Sequence, residues 1–168
     1  MKRIHRLGLV VLILMSCTSC DQVIKGIAKE SLASSAPISI LNGLVRVEYT
    51  ENPGAILGMG ANLPSEIRLL FFVIFVSVVL TLTLVFAINM HGLSLMHIVG
   101  LSLIAAGGIG NLLDRLFNKG LVIDFVSLGI GPLRTGIFNL ADAAIFGGVA
   151  IFLLFGAKGR MAKSAPFN

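Results

Sequence analysis

Charge is scarce in this chain. Only 12% of its 168 residues are Asp, Glu, Lys or Arg, whereas typical soluble proteins carry about 25%. Hydrophobic residues make up 56% of the sequence, and the mean hydropathy is +0.97. So little polar surface cannot cover a water-soluble globule. The composition therefore excludes the ordinary soluble classes and indicates a membrane protein.

Tryptophan, tyrosine, cysteine and histidine are also scarce. The sequence has no Trp, one Tyr, two Cys and three His. Cys17 and Cys20 form a C-x-x-C pair, but no second Cys/His cluster accompanies it. No cysteine or serine has a candidate base partner either. We therefore expect no metal site, no cofactor and no covalent catalytic mechanism.

Four apolar segments approach or reach the length of a membrane span, which is about 20 residues for ~30 Å of hydrocarbon. The segments are Leu7–Cys20, Leu69–Ile88, Leu93–Leu113 and Ile137–Phe155. The first is short, but it extends through Ile24 if Asp21 lies at the interface. The pattern predicts an α-helical membrane protein with four transmembrane helices.

Basic residues cluster at both ends of the chain. They are Lys2, Arg3 and Arg6 before the first span, and Lys158, Arg160 and Lys163 after the last. The net charge of +5 is thus explained by orientation and by attraction to anionic lipid, and no nucleic-acid binding is expected. Both termini should be cytoplasmic, with residues 21–68 and 114–136 external. We expect one domain over residues 1–157 and a disordered cytoplasmic tail over residues 158–168.

The first external segment contains a predicted β-hairpin. Val45–Thr50 alternates apolar and polar residues, which is the period of a half-buried strand. It follows the turn signal Asn42-Gly43, so Ile38–Leu41 supplies the partner strand. Asn52-Pro53-Gly54 then ends the strand. Asn52 either serves this turn alone or points its amide into a site.

Two aspartates lie where a membrane disfavours them. Asp142 is about one turn inside the fourth apolar segment, and Asp124 lies in the short segment that leads into it. An ionised carboxylate at membrane depth costs at least ~2.5–3.5 kcal/mol and is a functional candidate by default. Two neighbouring carboxylates share one proton, so one can act as general base on a water while the other acts as acid.

Other polar residues share helix faces with these carboxylates. Asn111 lies three residues before Asp114 and four before Arg115, and Asn139 lies three before Asp142. Two helices therefore bring polar faces to one membrane depth. They either build a site or only form interhelical hydrogen bonds.

The first segment allows more than one interpretation. Asp21 and Lys25 are four residues apart, as in an interfacial ion pair or part of a site. Leu14-Met15-Ser16-Cys17 has the form of a lipoprotein cleavage box, which would make residues before Cys17 a signal peptide. Three further spans favour an ordinary first span over that alternative.

Five motifs occur in an order that resembles the signal peptidase II (lipoprotein signal peptidase) family over almost the whole chain. They are Asp21-Gln22-x-x-Lys25, Tyr49-x-x-Asn52-Pro53-Gly54-Ala55, Gly110-Asn111-Leu112-x-Asp114-Arg115, Ile123-Asp124-Phe125 and Phe138-Asn139-x-Ala141-Asp142. The resemblance implies an aspartic peptidase of the bacterial cytoplasmic membrane. Such enzymes remove signal peptides from prolipoproteins just before a diacylglyceryl-modified cysteine.

The resemblance also implies roles for individual residues. Asp124 and Asp142 would form the catalytic dyad. The residues lining the site and holding substrate would be Asn52, Asn111, Arg115 and Asn139, and those supporting its architecture Asp21, Lys25, Gly54 and Asp114. A small external β-cradle, a half-helix at Leu121–Leu128 and inhibition by the cyclic peptide globomycin are further expectations. We expect membrane lipid around a monomer, with the active site at the outer face.

The chain departs from the family pattern at two places. Ala55-Ile56-Leu57 stands where the family usually has Ala then Phe, and Ser127–Gly136 lacks the usual aromatic residues. A different class of function also fits buried aspartates, namely a small transporter or channel subunit that relays protons. The first two spans hold no acid at depth, and His97 is the one candidate continuation of a relay, so the motifs favour the peptidase.

Overall fold

The computed structural model describes residues 2–54 and 64–163, with side chains up to Phe155. This part of the chain contains four helices and four strands. Their bounds are α1 Arg3–Leu32, β1 Ile38–Ile40, β2 Val45–Asn52, α2 Ser65–Asn89, α3 Leu95–Phe117, β3 Val122–Ile130, β4 Leu133–Arg134 and α4 Leu140–Lys163. The departure at Ala55–Leu57 lies outside the described residues.

The helices follow the predicted apolar segments. Among the described residues α1, α2 and α3 are long and apolar enough to cross a membrane, and α4 contributes a shorter apolar stretch, Leu140–Phe155. Helix α1 continues as far as Leu32, well beyond the predicted end of the first span. Helix α4 runs on to Lys163, and the cytoplasmic tail expected over residues 158–168 stays a prediction.

The predicted hairpin is confirmed. β1 pairs antiparallel with β2, with Ile38 opposite Val47 and Ile40 opposite Val45. The chain reverses through Asn42 and Gly43, whose φ angles are 53° and 86°. Glycine and asparagine tolerate this left-handed region best, which explains the turn signal.

The half-helix expected at Leu121–Leu128 is wrong, because that segment forms most of strand β3. Its Val, Ile and Phe residues favour strand, and the free edge of β2 supplies hydrogen-bond partners. Thr50 lies opposite Asp124 and Asn52 opposite Val122. The sheet order is β1-β2-β3-β4, so the sheet carries Asp124 toward the helices.

Helix α3 lies at the centre of the bundle, in contact with α1, α2 and α4. It packs against α4 through small residues. A Cβ added to Gly100 would lie 2.8 Å from the carbonyl oxygen of Gly148, and a Cβ on Gly148 would lie 2.5 Å from that of Gly100. These glycines therefore allow close backbone contact between α3 and α4.

The basic N-terminus caps the end of α2. The Arg6 guanidinium donates to the carbonyl oxygens of Ile88 and Met90 at 3.2 and 2.8 Å, and Arg3 donates to Asn89 Oδ1 at 2.8 Å. The last carbonyls of a helix have no partner within the helix and attract cations. Arg6 is therefore largely buried and has a structural role beyond orientation.

Candidate active site

The candidate site lies where the start of α4 meets α3, the end of β2 and the middle of β3. Asn139 immediately precedes α4 and acts as its N-cap. Its Oδ1 accepts from the Asp142 N–H at 2.9 Å, while its own N–H donates to Asp142 Oδ2 at 3.3 Å. This reciprocal arrangement is a capping box. The helix start therefore fixes the Asp142 carboxylate.

Asp124 is held from two sides on strand β3. Asn139 Nδ2 donates to its Oδ1 at 2.7 Å, and Asn52 Nδ2 donates to its Oδ2 at 2.9 Å. Its exposure is only 2%. Burial raises the pKa of Asp124 to about 6; the charge of Asp142 acts in the same direction, and the two amide hydrogen bonds oppose it. The Asp124 carboxyl can therefore bind or release a proton at a pH close to 6.

Asn111 connects the aspartates with the first helix. Its Nδ2 donates to Asp142 Oδ1 at 2.8 Å. Its Oδ1 accepts from Lys25 Nζ and from Asn139 Nδ2, both at 3.0 Å. Two donors on the oxygen leave the NH2 group one orientation, toward Asp142.

Arg115 joins helix α3 to the end of strand β2. Its guanidinium donates to the carbonyl oxygens of Asn111 at 3.1 Å and of Gly54 at 2.9 Å. It also lies over the Phe72 ring, 4.8 Å from the centroid, in cation–π geometry. The Gly54 N–H in turn donates to Asn52 Oδ1 at 2.9 Å. Asn52 therefore serves both interpretations of the sequence: it forms the turn and contacts Asp124.

Asp21, Lys25 and Asp114 form a buried charged cluster behind the site. Lys25 Nζ lies 2.7 Å from Asp21 Oδ2 and 2.9 Å from Asp114 Oδ2, and each of the three side chains is at most 3% exposed. Gln22 adds a hydrogen bond to Asp114 Oδ1 at 2.9 Å. The pair predicted at Asp21 and Lys25 is thus an interior network.

A cavity of about 900 Å³ opens beside the two carboxylates. Its polar lining comes from Asn52, Asn111, Arg115, Asp124, Thr135 and Asp142. Its aromatic lining comes from Phe71, Phe72, Phe75, Phe138 and Phe146. The aromatic residues that Ser127–Gly136 lacks are therefore provided by α2, α4 and the residue before Asn139. The site combines a dyad-like pair of acids with a large apolar wall.

All ten candidate residues lie in this site or directly behind it. Sequence reasoning missed the phenylalanine lining of the cavity and Gln22. Phe72 gave no signal because it lies within a uniformly apolar span. Gln22 stands inside a quoted motif, and its polarity beside Asp21 was the available clue.

Sequence comparisons with known proteins all identify the same family. The sequence model of the family described as Signal peptidase (SPase) II matches residues 12–157. A lipoprotein signal peptidase of Sulfurihydrogenibium sp. (strain YO3AOP1) is 38% identical over 146 residues, which is 84% of this chain and 88% of that protein. One from Desulforapulum autotrophicum is 33% identical over 136 residues, covering 79% and 82%.

A solved structure described as a bacterial membrane enzyme, determined by the in meso method at 2.3 Å resolution, has the same fold. It matches with a TM-score of 0.82 at 27% identity, over 96% of this chain and 94% of that one. A second structure with the same description at 1.9 Å resolution gives a TM-score of 0.75 at 27% identity, over 88% and 91%.

Proposed function

Since the chain belongs to the signal peptidase II family of membrane aspartic peptidases, we propose that Asp124 and Asp142 are its catalytic dyad. The enzyme removes signal peptides from prolipoproteins, as its family does. Cleavage falls immediately before the diacylglyceryl-modified cysteine. The transporter alternative is set aside because the matching family is a peptidase.

The dyad activates a water molecule for attack on the scissile carbonyl. In this mechanism two neighbouring carboxyls share one proton, so that one is ionised and the other protonated. The ionised member removes a proton from the water as its oxygen attacks the carbonyl carbon. The protonated member donates to the carbonyl oxygen, which gains charge. The intermediate collapses as a proton passes to the leaving amine.

Amide side chains orient the dyad without joining the chemistry. Asn139 contacts both carboxylates through its side chain and backbone, Asn52 holds Asp124, and Asn111 holds Asp142. Fixed dipoles of this kind act in a water-poor site with little reorganisation. They keep the acids in one arrangement while the substrate exchanges.

The cavity accommodates a lipid-modified peptide. Its phenylalanine wall suits acyl chains, while the dyad suits a peptide bond. Among the described residues Arg115 Nε finds no hydrogen-bond partner although it is buried. Arg115 also lines the cavity, so its guanidinium would lie near a substrate carbonyl or an ester oxygen. Globomycin-type cyclic peptides would occupy the same space.

The site lies at the outer membrane interface in this proposal, with both termini cytoplasmic. The diacylglyceryl group keeps the scissile bond at the lipid boundary, and water reaches the dyad from outside. The clusters at Lys2, Arg3 and Arg6 and at the C-terminal end support this orientation. The enzyme would act as a monomer.

The observation that carries the proposal is that Asn139 touches both Asp124 and Asp142. The test is cleavage of a diacylglyceryl-modified prolipoprotein by the purified protein in lipid. Wild type should cleave, and Asp124→Asn and Asp142→Asn should each lose at least about 10³-fold in kcat while remaining folded. Glu66→Gln, at an exposed carboxylate in the first turn of α2, is the matched control and should retain activity. Full activity in either aspartate variant would exclude the dyad.

A further inference from the structure

The buried cluster of Asp21, Lys25 and Asp114 touches the backbone beside each catalytic candidate. Asp21 Oδ1 accepts from the N–H of Ala141 at 2.9 Å, one residue before Asp142. Asp114 Oδ2 accepts from the N–H of Ile123 at 3.0 Å, one residue before Asp124. Asp114 on α3 thus holds the residue before Asp124 on β3, and Asp21 on α1 holds the residue before Asp142 on α4.

Lys25 is the common partner of these contacts. Its three N–H donors reach Asp21 Oδ2 at 2.7 Å, Asp114 Oδ2 at 2.9 Å and Asn111 Oδ1 at 3.0 Å. An ammonium has three donors and no acceptor, so its capacity is fully used. The third bond orients Asn111, whose Nδ2 then points at Asp142.

We infer that Lys25 is a positioning residue for peptide hydrolysis, setting both catalytic aspartates through Asp21, Asp114 and the Asn111 amide. This inference rests on the proposed function. A cluster that only balanced charge would not need to contact the amides next to both acids. A buried ion pair can often be replaced by well-packed hydrophobic residues without loss of stability. The hydrogen bonds from the cluster to Asn111, Ile123 and Ala141 are therefore what indicates a positioning role.

The charged groups around this arrangement come from α1, α3, α4 and β3. Asp21 on α1 and Asp114 on α3 face Lys25. Asp124 on β3 and Arg115 on α3 interact electrostatically with Asp142. A double substitution that keeps the net charge of the cluster therefore tests the hydrogen bond from Lys25 to Asn111 separately from the effect of that charge.

The test compares Lys25→Met with the double variant Lys25→Met/Asp21→Asn. The single variant leaves two buried acids without a cation and is expected to lower Tm. The double variant restores the net charge of −1 that Asp21, Lys25 and Asp114 carry together, and its Asn oxygen at position 21 still accepts from Ala141. Lys29→Met, one turn farther along α1 at an exposed position, is the matched control.

We expect the double variant to recover Tm but not activity. Its kcat should remain about 100-fold below wild type, the cost of small misplacement of catalytic groups, with KM little changed. Lys29→Met should match wild type in all three.

Two outcomes would contradict a positioning role for Lys25. If kcat returns to wild type together with Tm, or if KM rises while kcat stays unchanged, Lys25 only balances charge or shapes binding and the inference is overturned. Asp124→Asn and Asp142→Asn run in the same assay keep the two proposals separate. Activity in those variants defeats the dyad, whereas their inactivity beside an active double variant defeats only the role of Lys25.

Discussion

Asn139 and Asp142 exchange hydrogen bonds across the first turn of α4, with Asn139 Oδ1 accepting from the Asp142 N–H and the Asn139 N–H donating to the Asp142 carboxylate. The same Asn139 side chain donates to Asp124. One residue thus caps a helix and contacts both acids. Asn139 therefore contributes both to the stability of the helix and to the orientation of the two acids, and different substitutions can separate these contributions.

Asn139→Ser should separate the two roles. Serine keeps an oxygen suited to an N-cap but cannot donate to Asp124 across the distance the amide spans. We expect kcat to fall about 100-fold with a small change in Tm, whereas Asn139→Ala should lower kcat similarly and also cost about 1 kcal/mol for the lost cap. Steady-state kinetics and thermal unfolding in the same lipid check this. Equal Tm values for the Ser and Ala variants would contradict the cap.

Asp124 should make folding stability depend on pH. Its pKa of about 6 in the folded protein exceeds the ~3.9 of an unfolded aspartate, so the folded state binds the proton more tightly. The resulting stabilisation is complete below pH ~4 and is lost as the pH rises through about 6. At pH 7 the ionised carboxyl therefore costs on the order of 3 kcal/mol relative to acid pH.

Asp124→Asn removes this penalty while losing activity. We expect its Tm to exceed that of wild type at pH 7, with the difference shrinking toward pH 4. Thermal unfolding at both pH values measures it. A difference that stays constant with pH would show that Asp124 does not hold a raised pKa.

Arg115 should matter more through its geometry than through its charge. Lysine keeps the charge but cannot reproduce two guanidinium bonds to the Asn111 and Gly54 carbonyls together with the ring contact to Phe72. We expect Arg115→Lys to raise KM about 10-fold and lower Tm. Phe72→Leu removes only the ring, worth about 1 kcal/mol, and should lower Tm with a smaller change in KM. Unchanged KM in Arg115→Lys would remove Arg115 from the binding site.

The sequence predicted the elements that depend on local pattern. Apolar length located the helices, alternation at Val45–Thr50 located β2, and the spacing of Asn111, Asp114 and Arg115 predicted their shared face. The half-helix that the family resemblance implied at Leu121–Leu128 was wrong: the Val, Ile and Phe residues there favour strand, and the partner strand lies 70 to 83 residues earlier in the chain. Phe72 was missed for a similar reason, since its contact with Arg115 is set only by how α2 packs on α3.

Gly107 should couple helix packing to the catalytic turn. A Cβ at this position would collide with the carbonyl oxygen of Ala141 and lie 2.8 Å from the Ile145 side chain, so α4 must shift at the residue before Asp142. We expect Gly107→Ala to lower kcat about 10- to 100-fold, as small displacements of catalytic groups do, and to lower Tm.

Gly147→Ala is the matched control on α4, because a Cβ there meets nothing within 4 Å. Alanine favours helix over glycine by roughly 1 kcal/mol, so this variant should keep its activity with an equal or higher Tm. Kinetics and unfolding of both variants in the same lipid decide the matter. If Gly107→Ala lowered Tm while kcat stayed at the wild-type value, the first turn of α4 would have to tolerate the displacement, and close packing of α3 on α4 would serve the fold without positioning Asp142.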